Sequence, residues 1–208
     1  ALSGGGSKGA FVGGMLEYYK NELNKDYDIY AGNSTGSLLQ TLTSINDFES
    51  LKKAYTSINL DDIYKTSPFR KSKNPENPKM NWWSLIKMLV FKGKATFGDS
   101  SNLKDTIKNF FPKEKFNEVI KNEKELISCV TNLSKVRSEF YSSKDVSYEE
   151  FVDWTWISTN AVPFSSLVKR NDDYYGDGGY MEHIPIQKCI DKGATEIDAI
   201  TTKPESYM

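Results

Sequence analysis

Gly32-Asn33-Ser34-Thr35-Gly36 has the form G-x-S-x-G and stands where a strand pattern gives way to a helix pattern. The preceding Tyr27-Asp28-Ile29-Tyr30-Ala31 is typical of a short strand, and apolar residues recur at helical spacing from Leu38 to Ile45. A serine on such a turn has its hydroxyl exposed at the edge of a sheet, and flanking glycines leave room for the backbone to fold back. The pentapeptide predicts a nucleophile at Ser34, with a passive glycine-rich turn as the alternative interpretation.

A second glycine-rich stretch, Gly4-Gly5-Gly6-Ser7-Lys8-Gly9, stands between the strand-like Ala1-Leu2-Ser3 and an apolar helical pattern. Strand, glycine loop and helix together form the geometry of an anion site built from backbone N–H groups. Three consecutive glycines leave those N–H groups uncovered, so a ligand oxygen can approach them closely.

Two functions compete for this loop. Its glycines satisfy the G-x-G-x-x-G fingerprint of dinucleotide sites, which also expects an acidic residue at the end of the second strand. That acid is missing, because Ala31-Gly32 runs directly into Ser34. We therefore predict an oxyanion hole formed by the N–H groups of Gly4, Gly5 and Gly6, with that of Thr35 as a further donor.

Composition restricts the classes of protein to consider. The 208 residues carry a net charge of -1 and are 38% hydrophobic, which fits one soluble globular domain and gives no case for a nucleic-acid partner. Cys129 and Cys189 lie in apolar segments, which predicts buried thiols and no disulfide or metal site. No signal peptide or membrane-spanning apolar run is visible, although Ala1-Leu2-Ser3 resembles a strand whose start is missing. We expect an intracellular protein, cytoplasmic or peripheral to a membrane.

One segment differs in character from the rest of the chain. Between Lys65 and Lys94 there are eight basic residues and one acidic residue, around an apolar stretch that begins with Trp82 and Trp83. One interpretation is an interfacial segment, with the tryptophans at headgroup depth and the lysines facing anionic lipid. The other is a cap helix packed over the sheet with a solvated lysine rim. In both, residues 60–98 are an insertion within a single catalytic domain, 1–208.

The second half of the chain alternates strand and helix patterns. The apolar run from Leu126 to Thr131 predicts a strand covered on both faces, and residues 137–141 are its candidate partner. Ser147 and Glu150 form an S-x-x-E capping box for the next helix. An extended stretch, residues 172–176, leads directly into Asp177-Gly178-Gly179. This alternation predicts an α/β fold with a mostly parallel sheet between helices.

Three of these motifs, in this order, resemble those of the patatin-like phospholipases. Residues 4–9 match the family's G-G-G-x-[RK]-G oxyanion loop, residues 32–36 match its nucleophile elbow, and Asp177-Gly178-Gly179 matches its D-G-[GA] motif. Residues 131–133 and 158–164 look like its T-D-L and A-x-P segments. The resemblance covers nearly the whole chain. It implies a three-layer α/β/α sandwich, a Ser-Asp dyad, and hydrolysis of lipid acyl esters without a metal or cofactor.

Ester hydrolysis requires a nucleophile, a base and donors for the oxyanion. Ser34 is the candidate nucleophile and Asp177 the candidate base. Lys8 either places a positive charge near a lipid phosphate or is simply a solvated lysine. His183 is the only histidine and stands where the family usually has an asparagine, so a triad of Ser34, Asp177 and His183 is the alternative to the dyad.

We therefore expect a lipid acyl hydrolase, of phospholipase A type or a broader esterase, that acts on phospholipids or other acyl-ester lipids. Contact with an anionic membrane surface is a further expectation. An acyltransferase with the same dyad is one alternative. A non-catalytic lipid- or nucleotide-binding α/β domain is the other.

Overall fold

The computed structural model describes residues 1–70, 79–81 and 96–203 of the chain. The predicted apolar segment with Trp82 and Trp83 lies outside these ranges. The described helices are α1 (Gly9–Asn21), α2 (Thr35–Thr43), α3 (Phe48–Ser57), α4 (Leu60–Ile63), α5 (Ser101–Phe110), α6 (Lys113–Lys121), α7 (Tyr148–Ser158) and α8 (Ile186–Asp191). The described strands are β1 (Ile29–Asn33), β2 (Glu125–Asn132), β3 (Arg137–Ser142), β4 (Val168–Arg170) and β5 (Asp173–Asp177). Single 3₁₀ turns cover Gly6–Lys8 and Gly178–Tyr180.

Strand β2 is the centre of the sheet, and all of its residues are buried, as its continuous apolar sequence predicts. Strand β1 runs parallel to it, whereas β3 and β5 run antiparallel to it and β4 pairs antiparallel with β5. Beyond β1, Leu2 forms parallel bridges to Gly32 and to Ile200. The α/β fold is confirmed, with a mixed sheet that is not wholly parallel.

The register shows that β1 and β5 share one edge of β2. Strand β1 pairs with residues 125–129 and β3 with residues 127–132, so these two strands must occupy opposite edges where their pairings overlap. Strand β5 pairs with residues 130–132, which β3 also covers, and therefore lies on the same edge as β1. The carboxyl ends of β1 and β5 consequently meet, with Asn33 opposite Cys129 and Asp177 opposite Val130.

Helices cover both faces of the sheet because successive side chains of β2 point to opposite faces. Leu126 packs in a large cluster with Val12 of α1 and Leu39 of α2. Ile127, the next residue, packs in a separate cluster with Cys189 of α8. The predicted three layers follow from this alternation.

Helix α7 lies against β2 and begins with the predicted capping box. The Ser147 side chain accepts a hydrogen bond from the Glu150 N–H, and the Glu150 carboxylate accepts one from the Ser147 N–H at 3.0 Å. The box satisfies two backbone donors that the first turn leaves without intrahelical partners. At its other end, α7 ends at Ser158, whose Oγ accepts a hydrogen bond from the Ser34 N–H.

We expect Ser147→Ala to lower the free energy of unfolding by about 1 kcal/mol, because the cap of α7 is lost. Urea unfolding measures this change. Ser57→Ala is the matched control, since Ser57 is exposed in the last turn of α3 and caps no helix start. It should change the stability by less than about 0.5 kcal/mol. Equal unfolding midpoints for the two variants would contradict the role of the cap.

Candidate active site

Ser34 occupies a strained turn between β1 and α2. Its φ of 49° and ψ of -126° lie in a region that side-chain-bearing residues rarely adopt, at a cost of about 1–3 kcal/mol. Two side-chain hydrogen bonds help to hold this conformation. The Ser34 N–H donates to Ser158 Oγ at 2.9 Å, and Ser37 Oγ donates to the Ser34 carbonyl at 2.6 Å. The turn presents the Ser34 hydroxyl beyond the end of β1.

The two glycines of the pentapeptide are required by close backbone approach. A Cβ at Gly32 would overlap the backbone of Gly36, because the chain folds back on itself at this point. A Cβ at Gly36 would in turn overlap the carbonyl of Leu2 on the neighbouring strand segment. The G-x-S-x-G spacing is therefore a consequence of how tightly the turn packs against the sheet.

The Asp177 carboxylate accepts a hydrogen bond directly from the Ser34 hydroxyl. Ser34 Oγ donates a hydrogen bond to Asp177 Oδ2 at 2.6 Å, and the Gly179 N–H donates to Asp177 Oδ1 at 2.8 Å. The side chain is buried, with 8% relative exposure for the residue. Burial raises the pKa of Asp177 above its usual value, and the two hydrogen bonds partly oppose that rise.

The glycine loop lies directly beside Ser34, since a Cβ at Gly4 would be 2.7 Å from the Ser34 Cβ. The Gly4 N–H donates to Asn33 Oδ1 at 2.5 Å, so it is already engaged. The N–H groups of Gly5, Gly6 and Thr35 have no hydrogen-bond partner within the described residues. Of the four predicted oxyanion donors, these three are unpaired within the described residues; Gly5 and Gly6 are solvent-exposed, whereas Thr35 is buried and lines the cavity described below.

His183 is not part of the Ser34–Asp177 arrangement. Its Nε2 lies 3.3 Å from Thr201 Oγ1, and its side chain makes no hydrogen bond with either Ser34 or Asp177. Partial burial, together with the charge of Lys203, lowers the pKa of His183 below its usual value. The geometry is that of a direct Ser-Asp pair and not of a triad.

Of the three residues predicted to contact substrate or membrane, only Lys8 lies within the described residues. Lys8 is exposed in the 3₁₀ turn of the glycine loop, whereas Trp82 and Trp83 lie outside the described residues. None of the helices in the described ranges is both long enough and apolar enough to cross a bilayer. The same ranges hold no group of three or more His, Cys, Asp or Glu side chains arranged to bind a metal ion.

Three residues contribute to the site without having been predicted. Asn33 Oδ1 accepts a hydrogen bond from the Gly4 N–H, and Ser158 Oγ accepts one from the Ser34 N–H. Thr202 Oγ1 donates to the Gly4 carbonyl. Asn33 is inside the G-x-S-x-G pentapeptide and Ser158 begins the A-x-P-like segment, so both had a local signal. Thr202 had none, because only folding brings it beside residues near the start of the chain.

A cavity of about 510 Å³ extends from Ser34 and Asp177 into the helical layer. Its polar mouth includes Gly6, Thr35 and Thr159. Farther in, it is lined mainly by apolar side chains of α2, α3 and α5, among them Leu38, Leu42, Leu51, Ala54, Leu103, Ile107 and Phe110. A concave apolar space with a few polar groups at one place is typical of a small-molecule site.

Comparison with known proteins gives a sequence relative and a solved structure of similar fold. A protein described as probable lipid hydrolase 463L, from Invertebrate iridescent virus 6, is 27% identical over 222 aligned positions. The alignment covers 99% of this chain and 70% of that protein. The crystal structure of VipD from Legionella pneumophila matches with a TM-score of 0.57 and 14% identity, over 96% of this chain and 48% of VipD. At that identity the likeness shows the fold alone, and the chain spans about half the length of VipD.

A family model gives the assignment. The model described as patatin-like phospholipase matches residues 1–190, which include the glycine loop, the Ser34 turn and Asp177-Gly178-Gly179. The motifs that suggested this family therefore lie within one continuous match over most of the chain. This chain belongs to the patatin-like phospholipase family.

Proposed function

We propose that this chain is a serine-dependent lipid acyl hydrolase, of phospholipase A type or a broader esterase, that works through an acyl-serine intermediate. The observation that carries the proposal is the 2.6 Å hydrogen bond from Ser34 Oγ to the buried Asp177 carboxylate. Membership of the patatin-like phospholipase family and the lipid-hydrolase relative support a lipid ester as the substrate class.

In the first step, Ser34 Oγ attacks the carbonyl carbon of the ester and Asp177 takes the hydroxyl proton. The short hydrogen bond between them aligns this transfer before the substrate arrives. A buried carboxylate with a raised pKa is a stronger base than an exposed one, so burial favours proton acceptance. The new O–C bond places negative charge on the former carbonyl oxygen.

The open N–H groups beside Ser34 are the candidate donors for that charge. Those of Gly5, Gly6 and Thr35 are free of protein partners among the described residues, and Thr35 begins α2. The positive end of that helix dipole favours negative charge at this place. One such donor commonly contributes about 10²–10³ in rate.

The tetrahedral intermediate collapses when the bond from carbon to the leaving oxygen breaks. Protonated Asp177 returns its proton to that oxygen, which releases the alcohol or lysolipid and leaves the acyl group on Ser34. Water then attacks the acyl-serine while Asp177 accepts a proton from it. The bond from carbon to Ser34 Oγ breaks, Asp177 returns the proton to Oγ, and the fatty acid is released. Transfer to an alcohol in place of water would make the same dyad an acyltransferase.

The acyl chain of the substrate is assigned to the cavity between α2, α3 and α5. Its apolar walls begin at Ser34, so a chain attached to the reacting carbonyl can enter directly. Each methylene removed from water contributes about 0.8 kcal/mol, or roughly fourfold in affinity. The cavity therefore favours esters of longer chains over acetyl or butyryl esters.

The proposal is tested by labelling and product analysis. Ser34 should react with a fluorophosphonate probe, and mixed phospholipids should yield free fatty acids and lysophospholipids, identified by mass. Ser34→Ala should lose the labelling and reduce hydrolysis by more than about 10³-fold, because the proposed acyl-enzyme forms on Ser34 Oγ. Labelling that persists in Ser34→Ala would place the nucleophile elsewhere, and acyl transfer to added glycerol in preference to water would indicate the acyltransferase.

A comparison of Asp177→Asn with His183→Asn separates dyad from triad. We expect Asp177→Asn to lower kcat by about 10³-fold, because the proton acceptor is lost. His183→Asn should stay within about tenfold, a barrier change of roughly 1.4 kcal/mol.

The pH dependence provides a second measurement of the same point. Asp177 acts as a carboxylate, so the rate should fall as pH drops through its raised pKa, above the ordinary aspartate value of about 3.9. The pH–rate profile of His183→Asn should match that of the wild-type protein, including the region near the ordinary histidine pKa of about 6.5. If the two variants lose activity equally, the imidazole is the base.

Ala54→Phe tests the acyl cavity, since Ala54 of α3 lines it. The added ring should lower kcat/KM at least about tenfold for a dodecanoate ester, through loss of two or more buried methylenes, while a butyrate ester stays within about twofold. Lys53→Phe is the matched control, because it adds the same ring at the exposed neighbouring position. Equal losses on both esters in Ala54→Phe would show that the chain lies outside the cavity.

A further inference from the structure

The two residues that flank Ser34 each form a hydrogen bond to one end of the three-glycine run Gly4-Gly5-Gly6. On one side of Ser34, Asn33 Oδ1 accepts a hydrogen bond from the Gly4 N–H at 2.5 Å. On the other side, Thr35 Oγ1 donates to the Gly6 carbonyl at 3.2 Å. Gly5 lies between these two attachments, and its own N–H has no partner among the described residues.

Asn33 also reaches the segment that follows Asp177. Its carboxamide is completely buried, and Nδ2 donates to the carbonyls of Glu182 and His183, the latter at 3.1 Å. One side chain thus joins the glycine loop, the nucleophile turn and the chain that leaves the base. A carboxamide suits this position because it presents an acceptor to one N–H and donors to two carbonyls.

The loop needs such attachments if it is to stabilise charge. Donors of an oxyanion hole must lie 2.7–3.1 Å from the developing oxyanion, and their value depends on being fixed there in advance. Three consecutive glycines have more backbone freedom than any other sequence, and Gly5 and Gly6 are exposed to solvent. Thr202 packs against Gly5, and the Asn33 and Thr35 side chains attach the loop to the turn that carries Ser34.

We propose that Asn33 and Thr35 are positioning residues that clamp the glycine loop at Gly4 and Gly6, so that the N–H groups of Gly5 and Gly6 stay directed at the substrate oxygen. Neither side chain exchanges a proton with the substrate. The inference rests on the proposed ester hydrolysis, in which these N–H groups receive the negative charge.

The test compares Asn33→Leu and Thr35→Val with a control variant, Gln40→Met, in the full chain. Leucine matches asparagine in volume but removes both kinds of hydrogen bond, and valine removes only the hydroxyl of Thr35. Gln40 is an equally buried carboxamide of α2 that bonds Ile127 N–H and Ser128 Oγ on β2, away from the loop. It controls for the loss of a buried amide as such.

Kinetics on a soluble butyrate ester provide the first measurement, taken where unfolding curves show each variant to be folded. We expect Asn33→Leu to lower kcat by about 10²-fold and Thr35→Val by about fivefold, with KM changed by less than about threefold. Affinity for a trifluoromethyl ketone, whose serine adduct carries the oxyanion, should fall by the same factors as kcat/KM. Gln40→Met should lose stability but keep kcat within about twofold. Full kcat in both Asn33→Leu and Thr35→Val would overturn the proposal.

Amide hydrogen exchange provides a measurement that does not depend on activity. The Gly4 N–H should exchange slowly in the wild-type protein and quickly in Asn33→Leu, while Gly5 exchanges quickly in both. Slow exchange at Gly4 that persists in Asn33→Leu would overturn the clamp even if the protein is an active esterase. A wild-type protein with no esterase activity would instead overturn the proposed function, so the two failures are distinguishable. If Asn33→Leu does not fold, Thr35→Val alone decides, since unchanged kcat and ketone affinity in that variant would reject the clamp.

Discussion

The junction of β1 and β5 on one edge of β2 is the constraint on which the site depends. Strand β1 ends opposite Cys129 and strand β5 ends opposite Val130. These two positions are adjacent on β2 and therefore about 3.3 Å apart. Because one strand runs parallel to β2 and the other antiparallel, both carboxyl ends point at this junction. Ser34 and Asp177, 143 residues apart in the chain, are brought within hydrogen-bond distance as a result.

The carbonyl of Cys129 organises the backbone around that junction. Ser158 Oγ donates to it at 2.5 Å while accepting the Ser34 N–H, so the strained turn is tied through α7 to β2. The chain after Asp177 passes so close to the same carbonyl that a Cβ at Gly178 would overlap it. Burial of β2 on both faces keeps water from competing for these bonds, which helps to offset the backbone strain at Ser34.

The two halves of the site have opposite relations to solvent. Asp177 is buried, which raises its pKa, whereas Gly5 and Gly6 are exposed to solvent and Gly6 also lines the cavity. Desolvation strengthens Asp177 as the proposed base, and the proposed oxyanion site must remain accessible until the substrate fills it. The hydrogen bonds of Asn33 and Thr35 join the exposed half of the site to the buried half.

Many local elements of the fold and of the site can be predicted from short stretches of sequence. The pentapeptide at Ser34, the glycine loop, the capping box of α7 and the fully buried β2 each have a signature of spacing or composition, because each is formed by residues close together in the chain. The order of the three motifs was sufficient to identify the family and the α/β fold.

Only the tertiary structure decided how the motifs meet. Apolar periodicity reports which residues are buried, but not which direction a neighbouring strand runs, so the antiparallel pairing of β5 with β2 had no sequence signal. The engagement of the Gly4 N–H by Asn33 and the cavity between three helices were equally hidden. Each depends on the relative placement of segments far apart in the chain, since a backbone N–H finds its partner by position in space and not by distance along the sequence.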